Sequence, residues 1–574
     1  MLFKVLQIGG MNMKKRNVVG LLGIALTSTL VLAACGGGSS SDSGSKSSSD
    51  KGSSKVADKQ TLNLIESAEI PTMDTVMNTD AVGSVVMNNV FEGLYRQDLK
   101  NNNELAMAAE EPKVSEDGLT YTFKIREDAN WSNGDPVTSG DFVYAWQRLV
   151  DPATAAPYSY MMDGVIANAT EIIAGEKPAT DLGVKAIDDK TLEVKLASEV
   201  PYFKGLLGLS MYYPQNEKFA KEKGESYAKN SDNLVYNGPF TLTKWDGTGL
   251  NWVYKKNDTY WDKKAVKLDS INVDVVKETS TALNLYDNDS IDRMLLSGDY
   301  AQQRQDDADL KKLPTSSVFW FKFNQKRSDK ETPLANENIR KAIAMSYDKK
   351  AYADTVLQNG SVPANGMVPE GLAKDPKNDK DFRKENGNLL EYNKKQAKEY
   401  WEKGLKELGV DKLELEILSD DTENAKKSSE FMQGQMEANL PNLKIKLKNV
   451  PFKVRLDLND KQDYDIQVAG WGADFADPIN FLELFQTENG NNKSGFSNAE
   501  YDALLEKIQT TSLSDPEKRW DEMLKAEKIL MDTAGIAPIY QRYNSVLQKP
   551  YVKDIGVHLV GADYTYKWAY VESH

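Results

Sequence analysis

The polarity of the chain changes character twice. Residues 18–32 are almost all apolar and follow Lys14, Lys15 and Arg16; from Gly36 to about Lys55, Ser, Gly, Asp and Lys dominate. From Gln60 onward apolar and polar positions interleave with strand and helix periods and no repeat is visible. Alternation over 119–126 and 191–196 predicts strands. Asn133-Gly134-Asp135-Pro136 predicts a turn, and 139–149 a helix behind a Ser or Asp cap. Farther on the pattern reads strand (412–418), helix (422–440), strand (443–450), strand (464–471) and a short helix over 478–485. That order predicts an α/β fold. At 574 residues the chain exceeds what one core organises, which predicts two or three lobes.

The first two segments read as an address. A basic cluster ahead of an apolar run too short for a comfortable membrane span is the order of a secretory signal. Leu2, Phe3, Val5 and Leu6 stand out of place ahead of it, so Met11 or Met13 is the expected start. The run ends in Leu32-Ala33-Ala34-Cys35-Gly36, which resembles a bacterial lipobox. That resemblance implies cleavage after residue 34, thioether lipidation of Cys35 and a mature protein that begins there; the other reading of Cys35 is an ordinary buried thiol. Residues 35–59 then form a flexible tether, because Ser and Gly bury too little apolar surface to order a chain.

Composition removes whole classes of chemistry. A formal net charge of −15 argues against nucleic acid, whose phosphates need clustered Lys and Arg. Cys35 is the one cysteine, so neither an intramolecular disulfide nor a Cys-rich metal site can form, and the two histidines are His558 and the terminal His574. No cofactor, no metal and no enzymatic activity are expected. Ser48-Ser49-Asp50-Lys51, Ser231-Asp232-Asn233 and Lys493-Ser494-Gly495 do fall in the order found in penicillin-recognising serine enzymes. That serine should open a packed helix, whereas Ser48 lies in the Ser-rich tether, where Ser43 and Lys46 repeat the spacing.

In α/β sheets ligands gather beyond the carboxyl ends of strands. The segment there is Ala469-Gly470-Trp471-Gly472-Ala473-Asp474-Phe475-Ala476-Asp477-Pro478. Asp477 before a proline reads as a helix cap. Asp474, between Trp471 and Phe475, has no such duty; a solvated turn and a ligand-facing carboxylate are both open.

At these residues the chain resembles the oligopeptide-binding, peptide and nickel group of extracellular solute-binding proteins serving ABC importers. Matching segments run in order through the body: Phe91-Glu92-Gly93-Leu94, Trp131-Ser132-Asn133-Gly134-Asp135-Pro136, Asn237-Gly238-Pro239-Phe240, Ile339-Arg340-Lys341-Ala342 and Gly470-Trp471-Gly472-Ala473-Asp474-Phe475. The resemblance implies a two-lobed periplasmic-binding-protein-like fold, hinged by two crossovers, with an additional third domain. Its parts would be domain I (60–97, 235–316, 540–574), domain II (98–234) and domain III (317–539). It implies a monomer on the extracellular face of a Gram-positive cytoplasmic membrane, anchored through Cys35, which passes oligopeptides to the permease subunits of the importer. Asp474 would pair with the peptide α-ammonium, and Trp471, Gly470, Gly472, Tyr158 and Ala81 would lie along the peptide backbone. Positions matching the family's basic residues for the peptide carboxylate are Asn459, Val468 and one near Asn424, all uncharged. A peptide-pheromone receptor or a peptide-binding adhesin shares this pattern.

Overall fold

Two long antiparallel strands, Leu310–Phe323 and Ile536–Gln548, run through the middle of an eleven-stranded sheet. On one side of the pair follow Arg293–Leu296, Thr61–Glu66, Ser270–Val275, Asn251–Lys256 and Phe240–Thr243. On the other follow Ile466–Trp471, Leu413–Asp420 and Leu443–Val450. The long strands are thus the two crossovers of a two-lobed α/β fold. The computed structural model describes residues 56–574 apart from Pro201 and Asp329, so the signal, Cys35 and Ser48 lie outside the described residues.

The crossovers lose their regular pairing where they pass between lobes, with register shifts between Pro314 and Val318 and between Phe319 and Trp320. Pro314 and Pro538 donate no ladder hydrogen bond, which suits an irregular stretch. Side chains tie the stretch together instead: Thr315 Oγ1 donates to Arg542 O at 2.6 Å, and Gln541 Nε2 donates to Thr315 O at 3.2 Å. The expected boundaries at 316/317 and 539/540 fall inside these strands.

Elements follow the polarity pattern closely. Thr61–Glu66 and Ser270–Val275 pair in parallel and bury Leu62, Leu64, Ile271 and Val273 under the helix Ala81–Val90. A separate four-stranded antiparallel sheet, which includes Thr120–Lys124 and Thr191–Lys195, packs with the helix Ser139–Val150. The cap of that helix is Thr138 rather than Ser or Asp. Asp141 decides it by reaching back, its Oδ2 accepting from Thr138 N–H at 2.9 Å. In the second lobe, alternation within Leu413–Asp420 sends Leu415 and Ile417 into a core with Phe321, Phe323, Ile343 and Trp401. A larger core continues from the first lobe through Trp320, Phe475 and Phe485 into the helices Ala499–Gln509 and Pro516–Asp532.

Candidate functional site

The strand Ile466–Trp471 pairs with the first crossover so that Gly470 faces Phe319 and Trp471 faces Val318. A methyl group on Gly470 would stand 2.6 Å from the Phe319 ring, which is stacked on Tyr540 with centroids 4.7 Å apart. One on Gly472 would meet Ser317 Oγ at 3.1 Å. Glycine is required at Gly470 by this close approach, and between them the two glycines leave the strand's end as bare backbone.

The chain then turns into the loop that carries Asp474. Asn480, fully buried in the short helix Ile479–Leu482, organises it: its Oδ1 accepts from Asp474 N–H at 2.8 Å and from Trp471 Nε1 at 3.2 Å. Its Nδ2 donates to Asp474 Oδ2 at 3.2 Å. Ala473 is held from both sides, its N–H donating to Ser316 Oγ at 3.1 Å and its carbonyl accepting from Gly561 N–H at 2.7 Å.

From the start of the short helix Ser159–Met162 the Tyr158 hydroxyl reaches the same carboxylate, 3.3 Å from Oδ2. The Tyr158 ring lies 5.9 Å from Trp471, and Tyr202 stacks on Phe475 at 5.1 Å. Asp474 keeps some open surface, yet protein crowds its carboxylate and burial pushes its pKa up to about 6, against the hydrogen bonds from Asn480 and Tyr158. Neither neighbour is a cation. Glu483, in the following turn, is pushed up to about 8 by burial and then by the charges of Asp474 and Asp477. The arrangement offers a partly desolvated anion beside the exposed glycines at a strand's end, suited to a primary ammonium on an extended chain.

The structure therefore brings Gly470, Trp471, Gly472, Asp474 and Tyr158 together. Ala81 is the exposed first residue of its helix, and the Asp80 that caps this helix acts electrostatically on Tyr158. Asp477 accepts from Ile479 N–H at 2.9 Å, as a cap would, and also forms a pair with Arg519 at 2.7 and 3.1 Å that the sequence did not announce. Asn459 accepts from the buried Lys322 at 2.9 Å, Val468 faces Phe321 across the sheet, and Asn424 donates to Thr279 Oγ1 at 3.4 Å. A cavity of about 660 Å³ lies at the Asp477 end of the loop, lined by Tyr202, Leu372, Arg519, Trp520 and Met523, and does not include Asp474. His558 is buried, its Nδ1 3.0 Å from Ala562 O, and burial lowers its pKa. Among the described residues no group of three or more His, Cys, Asp or Glu could hold a metal ion, and no helix is long and apolar enough to cross a membrane.

Asn480, Ser316, Ser317 and Gly561 escaped sequence reasoning because each acts through a chain reversal that no local pattern encodes. Asn480 follows Pro478 closely enough for a return to the loop to be conceivable, but not to be distinguished from an ordinary helical amide.

Known proteins share both sequence and architecture. The oligopeptide-binding protein OppA of Bacillus subtilis is 36% identical over 554 residues, covering 95% of this chain and 97% of the relative. The structure of Listeria monocytogenes OppA bound to peptide is 52% identical, with a TM-score of 0.88, covering 90% of this chain and all of that one. That of the pheromone receptor PrgZ, which describes its mode of peptide binding, is 40% identical, with a TM-score of 0.85 and the same coverage. The model of the bacterial extracellular solute-binding proteins, family 5, matches residues 104–493, and the chain belongs to that family.

Proposed function

We propose that this chain is an extracellular oligopeptide-binding protein, anchored to the membrane by an acylated Cys35, that closes its two lobes around an extended peptide and delivers it to an ABC importer. The observation that carries the reading is Asp474: a crowded carboxylate without a cation among its neighbours, at the end of a bare glycine backbone and faced by Tyr158 from a distant part of the chain. Relatives named for oligopeptide binding, and one solved with peptide bound, support it. The division into domains I, II and III with boundaries inside the crossover strands belongs to the same proposal, as do a monomeric state and the absence of catalysis.

The binding mode suits a scavenger. An extended peptide that adds along a strand is held by main-chain hydrogen bonds, which ignore side-chain identity. Micromolar affinity needs about 8 kcal/mol and one charge-assisted hydrogen bond contributes roughly 1.5–3, so several backbone contacts must accompany the ion pair. Closure around the ligand is a hinge motion at the irregular crossover segment. Calorimetric titration with a free-amine peptide and its N-acetylated twin tests the reading. Wild type should bind the first and reject the second, and Asp474→Asn should bind the free amine at least about a hundredfold more weakly, since a buried ammonium left unpaired costs about 3–5 kcal/mol. Equal binding of both peptides by wild type would end it.

The likeness to PrgZ favours a second reading, capture of a peptide signal instead of a nutrient. Growth of a deletion strain on peptides as sole amino-acid source separates the two: nutrition requires a growth defect.

A further inference from the structure

Four charged side chains that the ammonium site does not use meet beside it. Arg293, at the start of its strand, and Arg542, in the second crossover, both act electrostatically on Glu66 at the end of Thr61–Glu66, with Asp563 as the other acid. Arg293 is only 8% exposed, and its Nε and Nη2 have no hydrogen-bond partner; its guanidinium lies 4.2 Å from the Tyr564 ring centroid. Arg542 keeps 26% of its side chain exposed. Its Nη2 donates to Ser317 Oγ at 3.2 Å and Asp563 Oδ2 at 3.3 Å, long for bonds from a charged donor, and its buried Nε has no partner. Burial pushes the Glu66 carboxyl up to about 7, and the contacts of Arg542 to Ser317 and Asp563 are long, which leaves a surplus of guanidinium hydrogen-bonding capacity.

The location gives this surplus a ligand. Ser317 Oγ, which receives Arg542, is also the atom against which a side chain at Gly472 would press. The Arg542 guanidinium stands 5.8 Å from the Phe319 ring, which closes over Gly470. Arg542 thus flanks the bare 470–472 backbone, and Gly472 is two residues from Asp474 in the chain.

We propose that Arg542, backed by Arg293, is a carboxylate subsite one to three ligand residues from the ammonium site, so that the cleft selects peptides that present a carboxylate there. The group is either an acidic side chain near the peptide N-terminus or the terminal carboxylate of a dipeptide; a guanidinium fork takes both alike. This rests on the reading of Asp474 as the ammonium site. The partly exposed Arg542 guanidinium, held only by long contacts to Ser317 and Asp563, is the donor such a group would meet, with the buried Arg293 adding its charge behind it.

Calorimetric titration of the purified protein tests it, with C-terminally amidated alanine pentapeptides that carry glutamate or glutamine at the first, second or third position, and with dialanine and its amide. In wild type one glutamate position should bind about tenfold tighter than its glutamine counterpart, assigning the carboxylate to a side chain, or dialanine should exceed its amide similarly, assigning it to the terminus. In Arg542→Met, which keeps the apolar stem, that preference should fall below about twofold, and Arg542→Lys should retain part of it. Wild type with no preference in either series overturns the subsite without any variant being needed, as does a preference that survives Arg542→Met in folded protein. The uncharged alanine pentapeptide amide separates the two levels. Failure of wild type to bind it overturns the ammonium-site reading and the subsite with it, whereas tight binding without carboxylate preference overturns the subsite alone.

Discussion

The hydroxyl of Tyr158 lies 3.3 and 3.5 Å from the two oxygens of Asp474, although 316 positions separate the residues in the chain. The carboxylate that anchors the proposed ligand is therefore also held by a residue from a distant part of the chain. Burial raises the pKa of Asp474, and a peptide ammonium beside it would lower it again.

A pH dependence follows from this sign. Burial pushes Asp474 up to about 6, and its carboxylate must be ionised to hold an ammonium, so binding should release a proton when pH is below that value. Affinity should fall by up to about tenfold per unit as pH drops below about 6, level off above it, and weaken again once the peptide α-amino group deprotonates near about 8. In Asp474→Asn the acid limb should be flat. Affinity in wild type that is constant between pH 5 and 7 would contradict the role of Asp474.

Gly470→Ala tests the close approach at the strand's end. The added methyl would sit 2.6 Å from a ring carbon of Phe319 and force that ring off Tyr540, so overpacking should cost about 1–3 kcal/mol in chemical denaturation and weaken peptide binding. Gly472→Ala meets only the Ser317 hydroxyl, at 3.1 Å, and should cost less. Equal midpoints for Gly470→Ala and wild type would show that the stack yields without penalty.

The sequence made legible whatever is local. Period-two alternation locates Ile466–Trp471 to within two residues, and the position of Asp474 after that strand leaves a solvated turn and a ligand contact both open until the family resemblance assigns it the peptide ammonium. The helix cap was missed by one residue because Thr138 and Ser139 are both competent caps; the side chain of Asp141 breaks the tie. Long-range partners were not legible. Arg542 comes from the long strand Ile536–Gln548, and the Arg519 pair of Asp477 comes from a separate helix. Asn459, Val468 and Asn424 carry no charge, while the guanidinium beside the glycine track lies elsewhere in the chain, on the second crossover.

Replacement of Cys35 tests the address. Two or more acyl chains hold a protein at a membrane essentially permanently, since each buried methylene contributes roughly 0.8 kcal/mol. Cys35→Ser should move the protein from the membrane fraction into the medium and remove the lipid mass from its N-terminal peptide. Retention at the membrane with unchanged mass would exclude acylation at this residue.

Asp477 and Asp474 lie three residues apart and should respond differently to the same change. Asp477→Asn keeps an oxygen to accept from Ile479 N–H, so the turn into Ile479–Leu482 survives. It loses the negative charge opposite Arg519, where the two side chains are 19% and 11% exposed, and the guanidinium is left poorly paired. That setting lies between a surface and a fully buried pair, so a loss of about 1–3 kcal/mol of stability is expected with peptide affinity close to wild type. Asp474→Asn should do the opposite. Relief of a crowded, partly protonated carboxylate leaves stability level or higher, while discrimination between a free amine and its acetylated twin collapses. Denaturation midpoints and calorimetric affinities measured on both variants decide the matter together, and a loss of free-amine binding in Asp477→Asn as large as in Asp474→Asn would place the ammonium between the two carboxylates instead of on Asp474.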